Sequence, residues 1–255
     1  MSVIRQRYAM SEHTSTRRRL LLGAAALPLL ATTGCALVPF EALPPLARSP
    51  LPGPGPDARM RAPAVGQRWT YALFNQFNSA QLDTVTESVA SVGDTTVVAR
   101  RSASGRELPQ ETHRAWGQLL RDAAWDYPLN VDEAVPLWPA GWVPGSRQSL
   151  FTRYRMDGGS FRFAIQVQAD SVAWERITVK AGTFNALRVE RLMRLQHEDF
   201  TRLDTTRRDR LWLAPEVGRW VARETSGRYL LGGNGFKSQA ESLEDHFRWE
   251  LTDWA

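Results

Sequence analysis

From Val65 onward the chain is dominated by alternation of apolar and polar residues with a period of two. Phe161, Phe163, Ile165 and Val167 alternate with Arg162, Ala164, Gln166 and Gln168. Leu187, Val189, Met193 and Leu195 share one face, with Arg188, Glu190, Arg194 and Gln196 on the other. Trp69, Tyr71 and Leu73 open the pattern, and Phe247, Trp249 and Leu251 close it. Successive side chains of a strand point to opposite faces, so each stretch predicts a half-buried antiparallel strand with one wet face. Between the runs lie Val92-Gly93-Asp94, Asp157-Gly158-Gly159, Ala181-Gly182-Thr183 and Gly232-Gly233-Asn234-Gly235, all suited to tight turns. The spacing predicts one mainly β domain over residues 65–255. Its form is a curved antiparallel sheet or incomplete barrel of roughly nine to eleven strands, with at most one or two short helices.

Two stretches depart from the pattern. Over residues 110–126, Trp116, Leu119, Leu120 and Ala123 fit helical spacing, whereas Gly117 weakens a helix, and both helix and strand remain open. Tyr127 to Gly145 contains Pro128, Pro136, Pro139 and Pro144 and reads as a long loop or a cover over a barrel mouth. Within it Trp138 and Trp142 are candidate contacts for a ligand or partner, with core packing as the alternative.

Upstream of the domain the chain reads as addressing and spacing. Thr16-Arg17-Arg18-Arg19-Leu20-Leu21 is a twin-arginine pattern, followed by an apolar run to Ala31 and then Thr33-Gly34-Cys35. A basic flank, a short apolar segment and small residues before a cleavage point describe an export signal over residues 1–34. Cys35 is the only cysteine, and its setting resembles the lipobox of bacterial lipoproteins, which implies a lipidated N-terminus. By resemblance to lipoprotein sorting signals, Ala36 at the next position implies the outer membrane, facing the periplasm. Residues 35–64 then form a tether, because the prolines and glycines from Pro39 to Pro63 favour extended polyproline conformations over sheet or helix.

Export also changes the charge argument. The whole chain holds 32 basic and 27 acidic residues, yet residues 1–34 carry Arg5, Arg7, Arg17, Arg18 and Arg19 against Glu12 alone. The mature chain is therefore close to neutral, and nothing global argues for nucleic acid as a partner. With Cys35 lipidated no thiol remains for disulfides, thiolate metal sites or nucleophilic catalysis.

The search for catalytic motifs finds no Gly-x-Ser-x-Gly elbow, no His-Glu-x-x-His, no phosphate loop and no zinc-binding cysteine pairs. Gly232 to Lys237 has the wrong spacing for a phosphate cradle and reads as a hairpin turn. His113 with Glu111, and His246 with Asp245, are the pairs that offer an acid and a base, but neither has a third partner in sequence. His197-Glu198-Asp199 reads as a solvated strand end, since adjacent strand residues point apart. Arg202, Arg207, Arg208 and Arg210, interrupted by Asp204 and Asp209, read as a solvated hairpin edge, with lipid phosphate contact as the alternative. No catalytic residue, metal ligand or cofactor is assigned.

Two motifs occur together: Val179-Lys180-Ala181-Gly182-Thr183-Phe184, and Trp212-Leu213-Ala214-Pro215-Glu216-Val217-Gly218-Arg219-Trp220-Val221. The pair resembles bacterial envelope proteins of unknown function, the 3108-type domain, which are broadly similar to the half-barrels of lipoprotein carriers. That resemblance implies a curved antiparallel sheet and supplies no catalytic residues. The resulting expectation is a membrane-anchored, non-catalytic lipoprotein of the cell envelope, holding a lipid or other apolar ligand in its curved sheet. The alternative is an assembly lipoprotein that recognises an envelope protein; a hydrolase without recognisable motif ranks third. Lipidation has a direct test. Cys35→Ser is expected to abolish incorporation of labelled fatty acid and to release the chain from the membrane fraction, and continued labelling would contradict the assignment.

Overall fold

A long antiparallel sheet with one apolar face must curl until that face is covered. The computed structural model describes residues 42–55, 58–232 and 240–255. These residues form fourteen strands and no helix: β1 (Ala47–Pro50), β2 (Arg68–Asn75), β3 (Gln81–Val92), β4 (Thr96–Ser102), β5 (Glu107–Ala115), β6 (Gln118–Asp122), β7 (Leu129–Pro136), β8 (Arg147–Arg155), β9 (Phe163–Val179), β10 (Gly182–Leu195), β11 (Arg202–Ala214), β12 (Arg219–Leu231), β13 (Ala240–Leu243) and β14 (Phe247–Trp254). Arg17, Arg18, Cys35 and the stretch from Gly233 through Lys237 lie outside the described residues.

Twelve strands close a barrel in the order β9-β10-β11-β12-β14-β2-β3-β4-β5-β6-β7-β8, and β8 returns to β9 from Arg147↔Asp170 to Tyr154↔Phe163. Where β8 ends, β1 takes over the same edge of β9, from Ala47↔Thr178 to Pro50↔Glu175. β13 likewise shares the β12 edge with β14. The fold class follows the alternation, but the strand number and the incomplete barrel are corrected to a closed ring of twelve with two added strands.

The extra strands come from segments that composition had set aside. β7 lies inside the proline-rich stretch read as a loop: Pro128 precedes the strand and Pro136 is its last residue, positions where a missing N–H costs the ladder least. Residues 110–126 resolve into β5 and β6 joined at Trp116-Gly117. β1 belongs to the segment read as a tether. Its neighbours also attach: Leu46 is buried, the Arg61 N–H donates to the Pro215 carbonyl at 3.0 Å, and Arg248 donates to the Pro44 carbonyl at 2.7 Å. The folded unit thus includes residues upstream of the expected boundary at 65.

Both sequence motifs sit at the barrel end that carries the turns after β3, β5, β9 and β11. Lys180-Ala181 turns β9 into β10, and Pro215 to Gly218 turns β11 into β12. The second turn fastens β2: Trp69 Nε1 and Gln67 Nε2 both donate to the Val217 carbonyl, and the Tyr71 hydroxyl donates to the Trp220 carbonyl. Tyr71 and Trp220 stack at 3.8 Å, with Trp249 edge-on to both. The motif is structural, since its turn and its tryptophans join distant strands.

Gly117 shows how tightly this end is packed. Its φ is +90°, and a Cβ built there would lie 2.2 Å from the Trp138 ring. Gly117→Ala is expected to cost about 2–4 kcal/mol from left-handed strain and overpacking together. Urea denaturation checks this, and a loss under about 1 kcal/mol would contradict the packing described.

Candidate functional site

The alternation that fills the barrel with apolar side chains also carries charges inward. Glu87 on β3, Arg100 on β4, Glu111 on β5, Asp122 on β6, Arg191 on β10, Asp209 on β11, and Arg219 and Arg223 on β12 are all buried. They form two chains of ion pairs. In the first, Arg100 Nε meets Glu87 at 3.1 Å, Arg219 meets Glu87 at 2.7 Å and Glu111 at 2.9 Å, and Glu111 accepts from His113 Nε2 at 2.7 Å. In the second, Arg191 bridges Asp122 at 2.7 Å and Asp209 at 2.9 Å, and Arg223 meets Asp209 at 2.7 Å. Four arginines balance four carboxylates. The guanidinium of Arg219 also lies 5.2, 5.5 and 5.6 Å from the ring centroids of Trp69, Trp116 and Trp220.

Burial alone would raise the Glu111 carboxyl, but Arg219, His113 and Arg223 outweigh it and hold the group well below the usual carboxylate range. Asp122 is lowered in the same way, burial being outweighed by Arg191 and Arg223. An acyl chain inside the barrel would have to lie against this self-compensated network.

Glu111 and His113 are brought together as their spacing allowed, yet both ring nitrogens are engaged. Nε2 donates to Glu111, and Nδ1 accepts the Gly117 N–H at 3.2 Å. His246 stacks on Phe77 at 4.7 Å, and among the described residues no hydrogen bond joins its ring to Asp245. His197 corrects the solvated strand end: it is buried, its Nδ1 accepts the Asp199 N–H at 3.0 Å, and burial with Arg202 and Arg207 lowers its pKa. Asp126, His197 and Glu244 lie close enough to ligate a cation. However, Arg207 holds Glu244 at 2.7 Å and Asp126 at 2.8 Å, so a guanidinium already answers these carboxylates. The arginine strip is corrected for the same reason: Arg207 and Asp209 face inward, while Arg208 and Arg210 face solvent.

Trp138 and Trp142 lie on the loop after β7 and are buried. Trp138 packs edge-on to Trp116 at 5.8 Å, and Trp142 lies 6.3 Å from Trp174. The loop does cover one barrel end, but with its rings turned into the core. Trp142 also borders an apolar groove of about 410 Å³ with Leu51, Pro144 and Trp174.

The opposite end of the barrel is aromatic. A groove of about 430 Å³ runs along the outer face of β8, β9 and β10, with Ala164 and Gln166 as its floor. Phe151 from β8, Phe161 from the β8–β9 turn and Phe200 from the β10–β11 turn wall it, and they are 66, 57 and 74 % exposed. Phe161 lies 4.6 Å from Phe163 and 6.0 Å from Phe200. Phe200 is held outward by a polar turn in which Asp199 accepts from the Thr201 N–H at 3.0 Å and the Thr201 hydroxyl at 2.6 Å. The alternation had put Phe161 on the buried face of a strand. β9 begins only at Phe163, after Gly158 and Gly159 have turned the chain, which leaves Phe161 in the turn.

Removing the central guanidinium tests the interior network. Arg219→Met strands Glu87 and Glu111 and is expected to cost about 3–5 kcal/mol in urea denaturation. The Glu111 carboxyl is lower in the folded than in the unfolded chain, so its contribution is complete above the unfolded value of about 4.3 and is lost as pH falls through the folded one. Stability should therefore decline in acid, and Glu111→Gln should flatten that decline. An unchanged acid limb would contradict the assignment.

No family model and no curated protein matches the chain, so the 3108-type resemblance rests on the two motifs alone. Among solved structures, a "putative lipoprotein" from Parabacteroides distasonis aligns at 12 % identity over 76 % of this chain and 97 % of its own, with a TM-score of 0.49. An exported protein with a YmcC-like fold from Bacteroides fragilis aligns at 15 % identity over 78 % and 99 %, with a TM-score of 0.47. The hypothetical lipoprotein YmcC from Escherichia coli aligns at 11 % identity over 77 % and 92 %, with a TM-score of 0.40.

Proposed function

We propose that the mature chain is a lipid-anchored, non-catalytic protein of the cell envelope that binds the apolar part of a lipid or similar ligand. The site is the outer groove walled by Phe151, Phe161 and Phe200, not the barrel interior. The observation that carries this reading is the exposure of three phenylalanines around one groove, because a contiguous apolar patch on a soluble domain marks a binding surface. The groove falls within the 300–1,000 Å³ typical of small-molecule sites. The anchor follows from the Cys35 signal, and facing the periplasm from the outer membrane follows from Ala36. A second reading, docking of an envelope protein, has its own observation: β1 pairs with β9 on one edge and with no other strand among the described residues.

The uncharged fluorescent probe N-phenyl-1-naphthylamine tests the groove on the full chain. Burying an exposed phenylalanine against a ligand contributes about 1.5–3 kcal/mol. The Phe161→Ser/Phe200→Ser double variant is therefore expected to bind the probe at least about tenfold more weakly, with little change in melting temperature. Unchanged probe affinity would move the odds to the protein-docking reading.

A further inference from the structure

The groove is not apolar throughout, and the position of its charges specifies more than a greasy surface. Strand register puts Phe151, Gln166 and Arg194 in one row across β8, β9 and β10, and Arg153 and Ala164 in the next. Residues directly paired in an antiparallel ladder project from the same face. Arg194 thus stands across the floor from Phe151, about 10 Å away at two strand spacings, and Arg153 stands beside the floor residue Ala164. Neither arginine side chain makes a hydrogen bond or ion pair among the described residues, whereas Arg147 and Arg210 on the same outer wall are held by Asp170 and Glu224.

The other charges at the groove do not neutralise these two. Arg202 is occupied, stacked over Tyr229 at 4.5 Å and paired with Glu244 at 3.5 Å. Asp204 is the carboxylate among the lining residues, and it forms no ion pair with Arg194 or Arg153. Two unanswered guanidiniums therefore stand by one aromatic groove, Arg194 in its lining and Arg153 paired with the floor residue Ala164.

We infer that the groove takes an amphiphile with an anionic headgroup, a carboxylate or phosphate ester, its chain between Phe151, Phe161 and Phe200 and its headgroup on Arg194 and Arg153. This rests on the groove reading above. Guanidinium is suited to it because its planar fork gives two parallel bonds to a carboxylate or phosphate. The aromatic walls supply affinity, and the arginines decide which amphiphile is kept.

The test uses cis-parinaric acid, whose fluorescence rises on transfer to an apolar site, and its uncharged methyl ester, on the full chain at a pH where the acid is ionised. The acid is expected to bind about tenfold more tightly than the ester at low salt. In Arg153→Gln/Arg194→Gln that ratio should fall toward one while ester affinity is retained. In Phe161→Ser/Phe200→Ser both ligands should weaken together. Equal binding of acid and ester by the unmodified chain, or a ratio indifferent to the arginines, overturns the headgroup assignment and leaves the groove standing. Binding of neither, or binding indifferent to the phenylalanines, overturns the groove itself. Displacement of the acid by inorganic phosphate at equal affinity would assign the arginines to a free anion and overturn the amphiphile.

Discussion

Arg219 stands between Glu87 and Glu111 with three tryptophan rings about its guanidinium, and the barrel interior is organised around that contact. The residue follows the turn at Val217-Gly218, so the element that reverses β11 into β12 also delivers the charge. Glu87 and Glu111 arrive from β3 and β5. A buried ion is tolerated only when paired and further hydrogen-bonded, so these strands are held to one relative placement. Arg191 and Arg223 repeat the arrangement with Asp122 and Asp209, joining β6 and β10 to β11 and β12. Replacing such a network by apolar residues can be neutral for stability. What the charges contribute here is a lumen in which an apolar chain would find poor company.

That constraint moves attention to the surface. One end of the barrel is shut by the Trp138 loop and by the turn motifs. At the other end, two hairpin turns expose phenylalanines beside a strand face floored by a small residue. Upstream of β2, the chain is stitched to the wall of the barrel through β1, Leu46 and Arg61. The proposed groove and these upstream residues therefore belong to one folded unit.

The sequence disclosed the strands better than it disclosed the interior. Period-two alternation located β2, β9, β10 and β14, and the turns at Gly93, Gly158 and Gly182 fell where the chain reverses. What alternation could not supply was the sign of the rule for charged residues. Arg191 sits at the inward position between Val189 and Met193, and Arg207 and Asp209 are inward on β11, although the strip that holds the last two read as a solvated edge. Their partners are invisible locally: Glu87 lies 132 residues from Arg219, Glu111 108, and Asp122 69 from Arg191. The prolines misled in the opposite direction, since β1 and β7 place them where the ladder loses little. Trp138 and Trp142 stood out as aromatics on a loop; both are buried, and Trp142 also borders the apolar groove beside Trp174. Phe161 and Phe200 drew less notice because exposure depends on where each strand begins, which alternation does not fix.

The account's central claim is that the apolar ligand lies outside a charged, closed barrel. The most direct measurement is a crystal structure of the protein with a brominated fatty acid, locating the halogen by anomalous scattering. The account predicts a bromine peak between Phe161, Phe200 and Ala164, on the outer face. A peak inside the barrel, among Trp69, Trp220 and Arg219, would contradict it.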